Sequence, residues 1–513
     1  MQTTTAADPQ TARAQAQAFE CRGELVEALT VYDTALKAFP DDRDLLAGLA
    51  RLAGRMRIPG EALTLWGRLE ALAPGELEAV DGRAQALRDL HRYGEAAEVL
   101  RAALQAHAAD ARLWNTFGTV ANQQGDSDAA LRFFSEAVRL DSGFVAAIYN
   151  RGGVLFDLGE TVRAEADFTA AERLAAQPRD AAKIRFARGL LALHGGDLAS
   201  GWAGYEARLD PAFPNAPEFK AAGRCWTSDE ALVGAHLLVI GEQGIGDEIM
   251  FASLLPDVLT ALGEAGRLSL AVAPRLVSLF QRSFPSAGVS GHASVQTFGR
   301  LERGAPDLGQ DRPVELWAPI ASLAQAFRTD IDTFQPPRAY LQPDAARVAH
   351  WRGWLEGQGI TVGLSWRSGD LSGKRRRQYP PLADWTPLVG VDGVRFVNLQ
   401  YDVREEELAE LETLGAGAIL RPPGLDLRND LDDLAALCVA LDLVVSIPNA
   451  TAALAAACGA QVWFLDGASA WTRLGTQTYP WYAAARSFPI AGFGDWQPVM
   501  AQAAAALRAR LAA

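Results

Sequence analysis

From about residue 10 to residue 208, apolar positions return along the chain at a spacing of 34. Alanines stand at Ala28, Ala62, Ala96, Ala130 and Ala164, and four residues later come Tyr32, Trp66, Leu100, Phe134 and Phe168. A third column follows at Ala35, Leu69, Ala103, Ala137 and Ala171. This pattern predicts units of two antiparallel helices. The alanine lets the backbones approach where they cross, and the large residue fills the gap to the neighbouring helix. Gly23, Gly125 and Gly159 precede the alanine column by five residues, where a left-handed cap ends the first helix of a unit. Pro40 and Pro74 stop the second helix. The register reaches a sixth, atypical unit at 195–208, with Trp202 and Tyr205 in its aromatic and third columns. Such a degenerate last unit reads as a cap or a domain junction.

The 34-residue hairpins resemble tetratricopeptide (TPR) repeats, so residues 10–208 are expected to form an all-α solenoid whose concave face grips another protein. After the Pro-rich connection that opens 209–235, the pattern changes to short apolar runs alternating with helical stretches. Strands are predicted over 236–241, 267–273, 314–320, 360–366, 395–401, 441–447 and 461–466. The segment FQPPRAYLQPD (334–344) reads as a linker between the first three strands and the last four. The predicted architecture is therefore two Rossmann-like lobes, 236–335 and 345–496, followed by a helix over 497–513.

A chain of 513 residues with 49% hydrophobic and 21% charged residues fits a folded protein of more than one domain. Its formal charge of −14 argues against nucleic-acid binding, because most of the surface would repel phosphates. Cys21, Cys225, Cys438 and Cys458 have neither the spacing of a zinc site nor the density of a disulfide scaffold, which favours a reducing, cytoplasmic setting. The N-terminus lacks the apolar core of a signal peptide, and no run of about 18 apolar residues occurs. Neither export nor membrane insertion is expected.

Candidate chemistry lies in three places. GEQGIGDEIMFASLLP (241–256) directly follows a predicted strand, and Gly241, Gly244 and Gly246 allow a tight turn with close approach of a ligand. The stretch lacks the GK[ST] of a Walker loop and the spacing of a dinucleotide fingerprint. Asp247, at the handover from strand to helix, is either a helix cap or a catalytic base, and Glu242 and Glu248 compete for the second role. In VGLSWRSGDLSGKRRRQYPPLADW (362–385), Arg367 closes a strand and Lys374 opens a basic loop, a pair suited to a phosphate-bearing ligand. The turn 447–451 offers Asn449 and Thr451 at a helix N-terminus, as an anion site or as caps. The acidic run NDLDDL (429–434) resembles the paired aspartates of metal-dependent sugar transferases, but it precedes a helix. Acidic capping explains it and no metal is expected.

Together, GEQGIGDEIMFASLLP, VGLSWRSGD with the basic loop, FVNLQYD, DLVVSIPNATAALAAACGAQVW and the closing PWYAAARSF and GDW make residues 236–496 resemble the TPR-linked relatives of the heptosyltransferases. These are GT-B glycosyltransferases. The resemblance implies that Asp247 acts as general base towards an acceptor hydroxyl. It further implies that Gly244, Gly246, Arg367, Lys374, Asn449 and Thr451 hold a nucleotide-sugar donor, without a metal or other cofactor. Ala453 stands where relatives often carry a histidine. The SIPNATAALA form of the fourth block is similar to flagellin glycosyltransferases, which implies flagellin as partner of the TPR half and a CMP-linked nonulosonic acid as donor. Trp202 and Tyr205 are then expected at the junction where the acceptor protein is handed to Asp247. The alternatives are a non-catalytic scaffold in flagellar or polysaccharide assembly, and a heptosyltransferase-like enzyme acting on a glycan.

Overall fold

The computed structural model describes residues 8–214, 216–297, 300–305, 308–309, 312–357, 359–369 and 378–512. The chain divides into two compact units, the first formed by Met1–Leu155, Ala166–Ala176 and Gln296–Arg300, the second by the remainder.

The first unit is built on the repeat array. Helices α1 (Pro9–Arg22) and α2 (Leu25–Ala38) form its first hairpin, followed by α3 (Arg43–Arg55) with α4 (Pro59–Leu72), and α5 (Leu77–Asp89) with α6 (Tyr93–Ala106). Then come α7 (Ala111–Gln124) with α8 (Ser127–Leu140), and α9 (Val145–Asp157) with α10 (Thr161–Leu174). The alanines at 28, 62, 96, 130 and 164 and the large residues four places later are all buried. Helices α1, α3, α5, α7 and α9 each give way at a left-handed residue, and these fall at 23, 57, 91, 125 and 159. Glycine fills three of the five; Arg57 and His91, both at φ 59°, hold the other two and bear the steric cost that a Cβ imposes there.

A glycine partners four of the large residues. A Cβ on Gly48 would lie 2.6 Å from the Tyr32 ring, and on Gly82 2.3 Å from Trp66. On Gly118 it would lie 2.5 Å from Phe134, and on Gly152 2.9 Å from Phe168. Tyr32 and Trp66 therefore pack forward on the next hairpin, whereas Phe134 and Phe168 pack back on the first helix of their own.

The sixth helical pair, α11 (Pro178–Gly195) and α12 (Leu198–Tyr205), belongs to the second unit. The two cross so closely that a Cβ on Gly189 would meet the backbone of Gly204 and Tyr205 at 2.7 Å. Trp202 and Tyr205 join one core with the α/β part. The last pair groups with the second unit because its apolar face covers that core.

Two five-stranded parallel sheets follow. In the first, β1 (His236–Ile240) lies between β4 (Leu316–Pro319) and β2 (Arg267–Val272). Strand β3 (Gly288–Gly291) is beyond β2, and Arg224–Cys225 forms the edge beside β4. In the second, β5 (Ile360–Ser365) lies between β6 (Val394–Asn398) and β7 (Leu443–Ser446), followed by β8 (Val462–Asp466) and β9 (Ala485–Pro489). Every strand run expected from the sequence is present; the edge strands Arg224–Cys225, β3 and β9 were not anticipated, nor was a three-stranded sheet of Glu218–Lys220, Ala293–Thr297 and Arg300–Gly304. In each sheet the strand order reverses about the first long strand, β1 or β5, and it is there that parallel α/β sheets place ligands.

The expected linker 334–344 is packed rather than free. Tyr340 and Leu341 are buried, both donate their N–H to Ala457 O at 3.1 Å, and the Tyr340 hydroxyl donates to Ile249 O at 3.0 Å. The C-terminal helix spans Trp496–Ala512 and covers the second sheet with Met500, Ala503, Ala504 and Leu507.

Candidate functional site

The loop after β1 leads into α13 (Ile245–Phe251). Its three acids are sorted by their surroundings. Glu242 is buried and accepts from Arg208 Nε at 3.0 Å, Arg208 Nη2 at 2.6 Å and Ala321 N at 3.1 Å. Glu248 is buried too; it accepts from Ala273 N at 2.8 Å, bonds His292 Nε2 at 3.1 Å and lies 3.5 Å from Arg303 Nη1. Asp247 alone of the three is partly exposed. One of its oxygens accepts from Gly244 N at 3.0 Å, so the capping role foreseen for it is present. That leaves Asp247 as the acid of this loop that solvent and a ligand can reach.

The loop is pinned from several sides. Arg303, also buried, donates to Gly241 O at 2.6 Å and to Gln243 O at 3.1 Å. Gln243 itself is exposed and left-handed at φ 59°, and its side chain donates to the Tyr205 hydroxyl at 2.7 Å. Burial pushes the Tyr205 phenol far up, and the Asp247 carboxylate adds to the shift. The same carboxylate also raises Tyr479 and Tyr482, in which burial again dominates. All three phenols are thus held in the protonated form.

In the second lobe, the turn after β7 leads into α14 (Ala450–Ala457). Asn449 caps it, accepting from Ala452 N at 2.9 Å, and its Nδ2 donates to Ser365 Oγ at 2.8 Å and to Arg367 O at 3.4 Å. Thr451 is buried. The capping reading of Asn449 is therefore fulfilled. Gly244 and Gly246 sit at the start of α13, and a Cβ on Gly246 would be 3.4 Å from Ala450 Cα, so the loops of the two lobes abut. A side chain at 246 would thus begin in van der Waals contact with the backbone of the facing loop.

Arg367 is placed at the end of β5 as expected, but its guanidinium is already engaged. It forms a fork on Glu407, Nε to Oε1 2.7 Å and Nη2 to Oε2 2.8 Å, and also donates to Asp402 O at 2.6 Å. These bonds make it a strut between two loops. Lys374 lies outside the described residues. Trp202 and Tyr205 are 2% and 1% exposed, Trp202 Nε1 donating to Arg328 O at 2.8 Å. They cannot touch an acceptor protein, and their expected role is corrected to supporting the loop that carries Asp247. The acidic run behaves as capping, Asp430 accepting from Asp433 N at 3.0 Å.

Sequence reading missed Arg208, Arg303, His292, Asp466 and Arg473. Arg208 and Arg303 lie in buried ion pairs and His292 in a buried hydrogen bond, each across distant segments, which no local spacing announces. Asp466 ends a strand run and Arg473 follows it in a loop, a position that the topology makes notable only once the sheet order is known.

Among known proteins, tetratricopeptide repeat models match residues 9–52 and 111–144. A thermophilic TPR protein of Thermus thermophilus is 24% identical, covering 36% of this chain and 98% of that one with a TM-score of 0.32. A tetratricopeptide repeat protein of Parabacteroides merdae is 19% identical, covering 38% and 75%, with a TM-score of 0.35. Human Tetratricopeptide repeat protein 7B is 29% identical over 123 residues, 23% of this chain and 14% of its own length. Protein FlbA of Caulobacter vibrioides is 44% identical over 492 residues, which are 95% of this chain and 82% of FlbA. A likeness of that extent runs through both the repeats and the two-lobed part, and the chain belongs to the family of Protein FlbA.

Proposed function

We propose that the protein is a cytoplasmic, metal-independent O-glycosyltransferase of GT-B type whose repeats select an acceptor protein and whose two-lobed unit transfers a sugar to it. The reading takes flagellin as acceptor and a CMP-linked nonulosonic acid as donor, on the strength of the sequence resemblance. The observation that carries it is the sorting of acids in the loop after β1: Glu242 and Glu248 are consumed by buried partners, while Asp247 stays accessible beside the strand-order reversal. In the reaction, a Ser or Thr oxygen attacks the anomeric carbon and its proton passes to Asp247. The bond from that carbon to the phosphate oxygen breaks, and CMP leaves with the electron pair, inverting the centre.

The test is transfer to purified flagellin, read by intact mass, with Asp247→Asn and Asp247→Ala. Asparagine keeps an oxygen for the Gly244 N–H but cannot take a proton. Loss of transfer in Asp247→Asn with an unchanged melting temperature is expected; full transfer by that variant reduces Asp247 to a cap and overturns the reading.

Two observations favour a second reading. The close approach of Gly246 to Ala450 and the engagement of Arg367 by Glu407 suit a scaffold with no donor between its lobes. Titration with CMP- and ADP-linked sugars separates the two, because a scaffold shows neither hydrolysis nor thermal stabilisation with any donor.

A further inference from the structure

The loop after β8 holds a cation without a counterpart. Among the described residues Arg473 makes no side-chain hydrogen bond or ion pair, and its Nε is buried with no partner. A guanidinium so placed has paid part of its desolvation without the fork of acceptors it normally finds. Other arginines around this end of the molecule are spoken for: Arg208 by Glu242, Arg303 by the carbonyls of Gly241 and Gln243, Arg367 by Glu407.

The backbone that carries Arg473 is fixed on both sides. Thr472 O accepts from Trp481 Nε1 at 2.9 Å, and Thr472 Oγ1 accepts from the Tyr479 hydroxyl at 2.9 Å. Arg473 O accepts from Thr476 Oγ1 at 2.8 Å, and the next residue, Leu474, is buried in a left-handed conformation at φ 53°. Strain of this kind persists where surrounding contacts impose it. The nearby acid Asp466 does not neutralise the arginine by contact. It is fully buried at the end of β8, one oxygen takes the Ser487 hydroxyl and the other is unpartnered. Its charge reaches Arg473 only through space, as does the ring of His194.

The loop also faces the candidate catalytic loop. The Trp471 ring centroid lies 5.6 Å from that of Tyr205, whose hydroxyl holds Gln243. Tyr479, bonded to Thr472, feels both Asp247 and Asp466. Arg473 therefore follows the C-terminal end of β8, on a loop whose Trp471 packs against the tyrosine that holds the Asp247 loop, and its Nε meets no acceptor among the described residues.

We propose that Arg473 receives a compact anionic group of the small ligand bound at these strand ends, a phosphate or a carboxylate. The assignment rests on the transferase reading for the identity of that ligand, whose donor would carry both groups, the phosphate of its nucleotide and the carboxylate of its sugar acid. The Nη1 and Nη2 end of the guanidinium, which no described residue holds, matches either anion in bidentate fashion.

The experiment measures, by calorimetry on the full chain, binding of CMP and separately of N-acetylneuraminic acid to the wild type, Arg473→Lys and Arg473→Met. The expected result is that one of the two ligands binds and loses at least about tenfold in affinity in Arg473→Met, while Arg473→Lys loses less because charge is kept without the fork. Loss confined to CMP assigns the phosphate, and loss confined to the sugar acid assigns the carboxylate. Equal affinity of wild type and Arg473→Met for both ligands, or no binding by the wild type, overturns the proposal. Because the side chain bonds to none of the described residues, Arg473→Met is expected to fold; should it fail to do so, Arg473→Lys alone decides, and unchanged affinity there overturns it. Binding through Arg473 in a protein that transfers no sugar leaves this site standing and removes the transferase reading, whereas transfer unaffected by Arg473→Met does the reverse.

Discussion

Arg208 and Glu242 form a buried fork, Nε to Oε2 at 3.0 Å and Nη2 to Oε1 at 2.6 Å, that joins the end of the last helical pair to the loop carrying Asp247. The two side chains are 5% and 2% exposed, and the Arg208 guanidinium also lies 4.7 Å over the Tyr205 ring. Burial alone would favour neutral partners; the pair survives because its donors and acceptors are used, including by Ser322 Oγ and Ala321 N–H.

Removing one partner strands the other charge. Arg208→Met and Glu242→Gln are each expected to lower stability by about 3–5 kcal/mol. The double variant Arg208→Met/Glu242→Leu should recover only part of this, since Ala321 N–H and Ser322 lose their partner as well. Urea unfolding followed by tryptophan fluorescence reads the effect; single and double variants as stable as wild type would show that the fork contributes nothing.

In the repeat array the left-handed column gives a prediction of opposite sign. Arg57 holds φ 59° where Gly23, Gly125 and Gly159 stand in register, so Arg57→Gly should stabilise by about 1 kcal/mol through relief of the Cβ clash. Gly118→Ala should cost about 1–3 kcal/mol, because its Cβ would sit 2.5 Å from the Phe134 ring. Melting of the two variants in parallel checks both; a destabilised Arg57→Gly would mean that the side chain's own contacts outweigh its backbone strain.

How much of this was legible beforehand depends on range. The columns at 28, 32 and 35 and their repeats were visible because a solenoid unit meets only its neighbours, so its rules recur at a fixed spacing. The glycines facing Tyr32 and Phe134 share that visibility in principle. They stand sixteen residues after the first ring and sixteen before the second, a change of direction that blurs the column. The long strands were legible as unbroken apolar runs, whereas β9, with the sequence ARSFP and an exposed arginine, gave no such signal. At the candidate site, Asp247 was legible from its place after a strand. What separates it from Glu242 and Glu248 was not, since Arg208, Arg303 and His292 come from segments 34 to 55 residues away.

Arg367 and Glu407 bear on acid stability. Burial raises the Glu407 carboxyl, but the Arg367 fork and the Arg404 N–H and side chain outweigh it, bringing the pKa from 4.5 down to about 2. A depressed carboxylate stabilises the fold above its unfolded pKa and loses that contribution as pH falls towards the folded value. Glu407→Gln should therefore melt well below wild type at pH 7, and the gap should narrow between pH 4.5 and about 2. Circular-dichroism melts across this range test it, and a constant gap would show that packing, not charge, makes the difference.

Asp466 carries the opposite sign. Burial raises its pKa from 3.8 to about 6, with the Ser487 hydroxyl and the Arg473 charge pulling it back. The native state then holds a proton that the unfolded chain has released, so stability falls as pH rises from about 4 to about 6 and stays lower above that. A shift of this size corresponds to about 3 kcal/mol as an upper bound. Asp466→Asn, which keeps the shape and cannot ionise, should equal or trail wild type near pH 4 and gain on it by pH 7. In Arg473→Met the nearby positive charge is gone, so the pH at which wild-type stability bends should move upward in that background. Parallel melting curves of Asp466→Asn and wild type across pH 4 to 7 would mean that the buried carboxyl does not titrate in this window, and that its unpartnered oxygen is met by water instead.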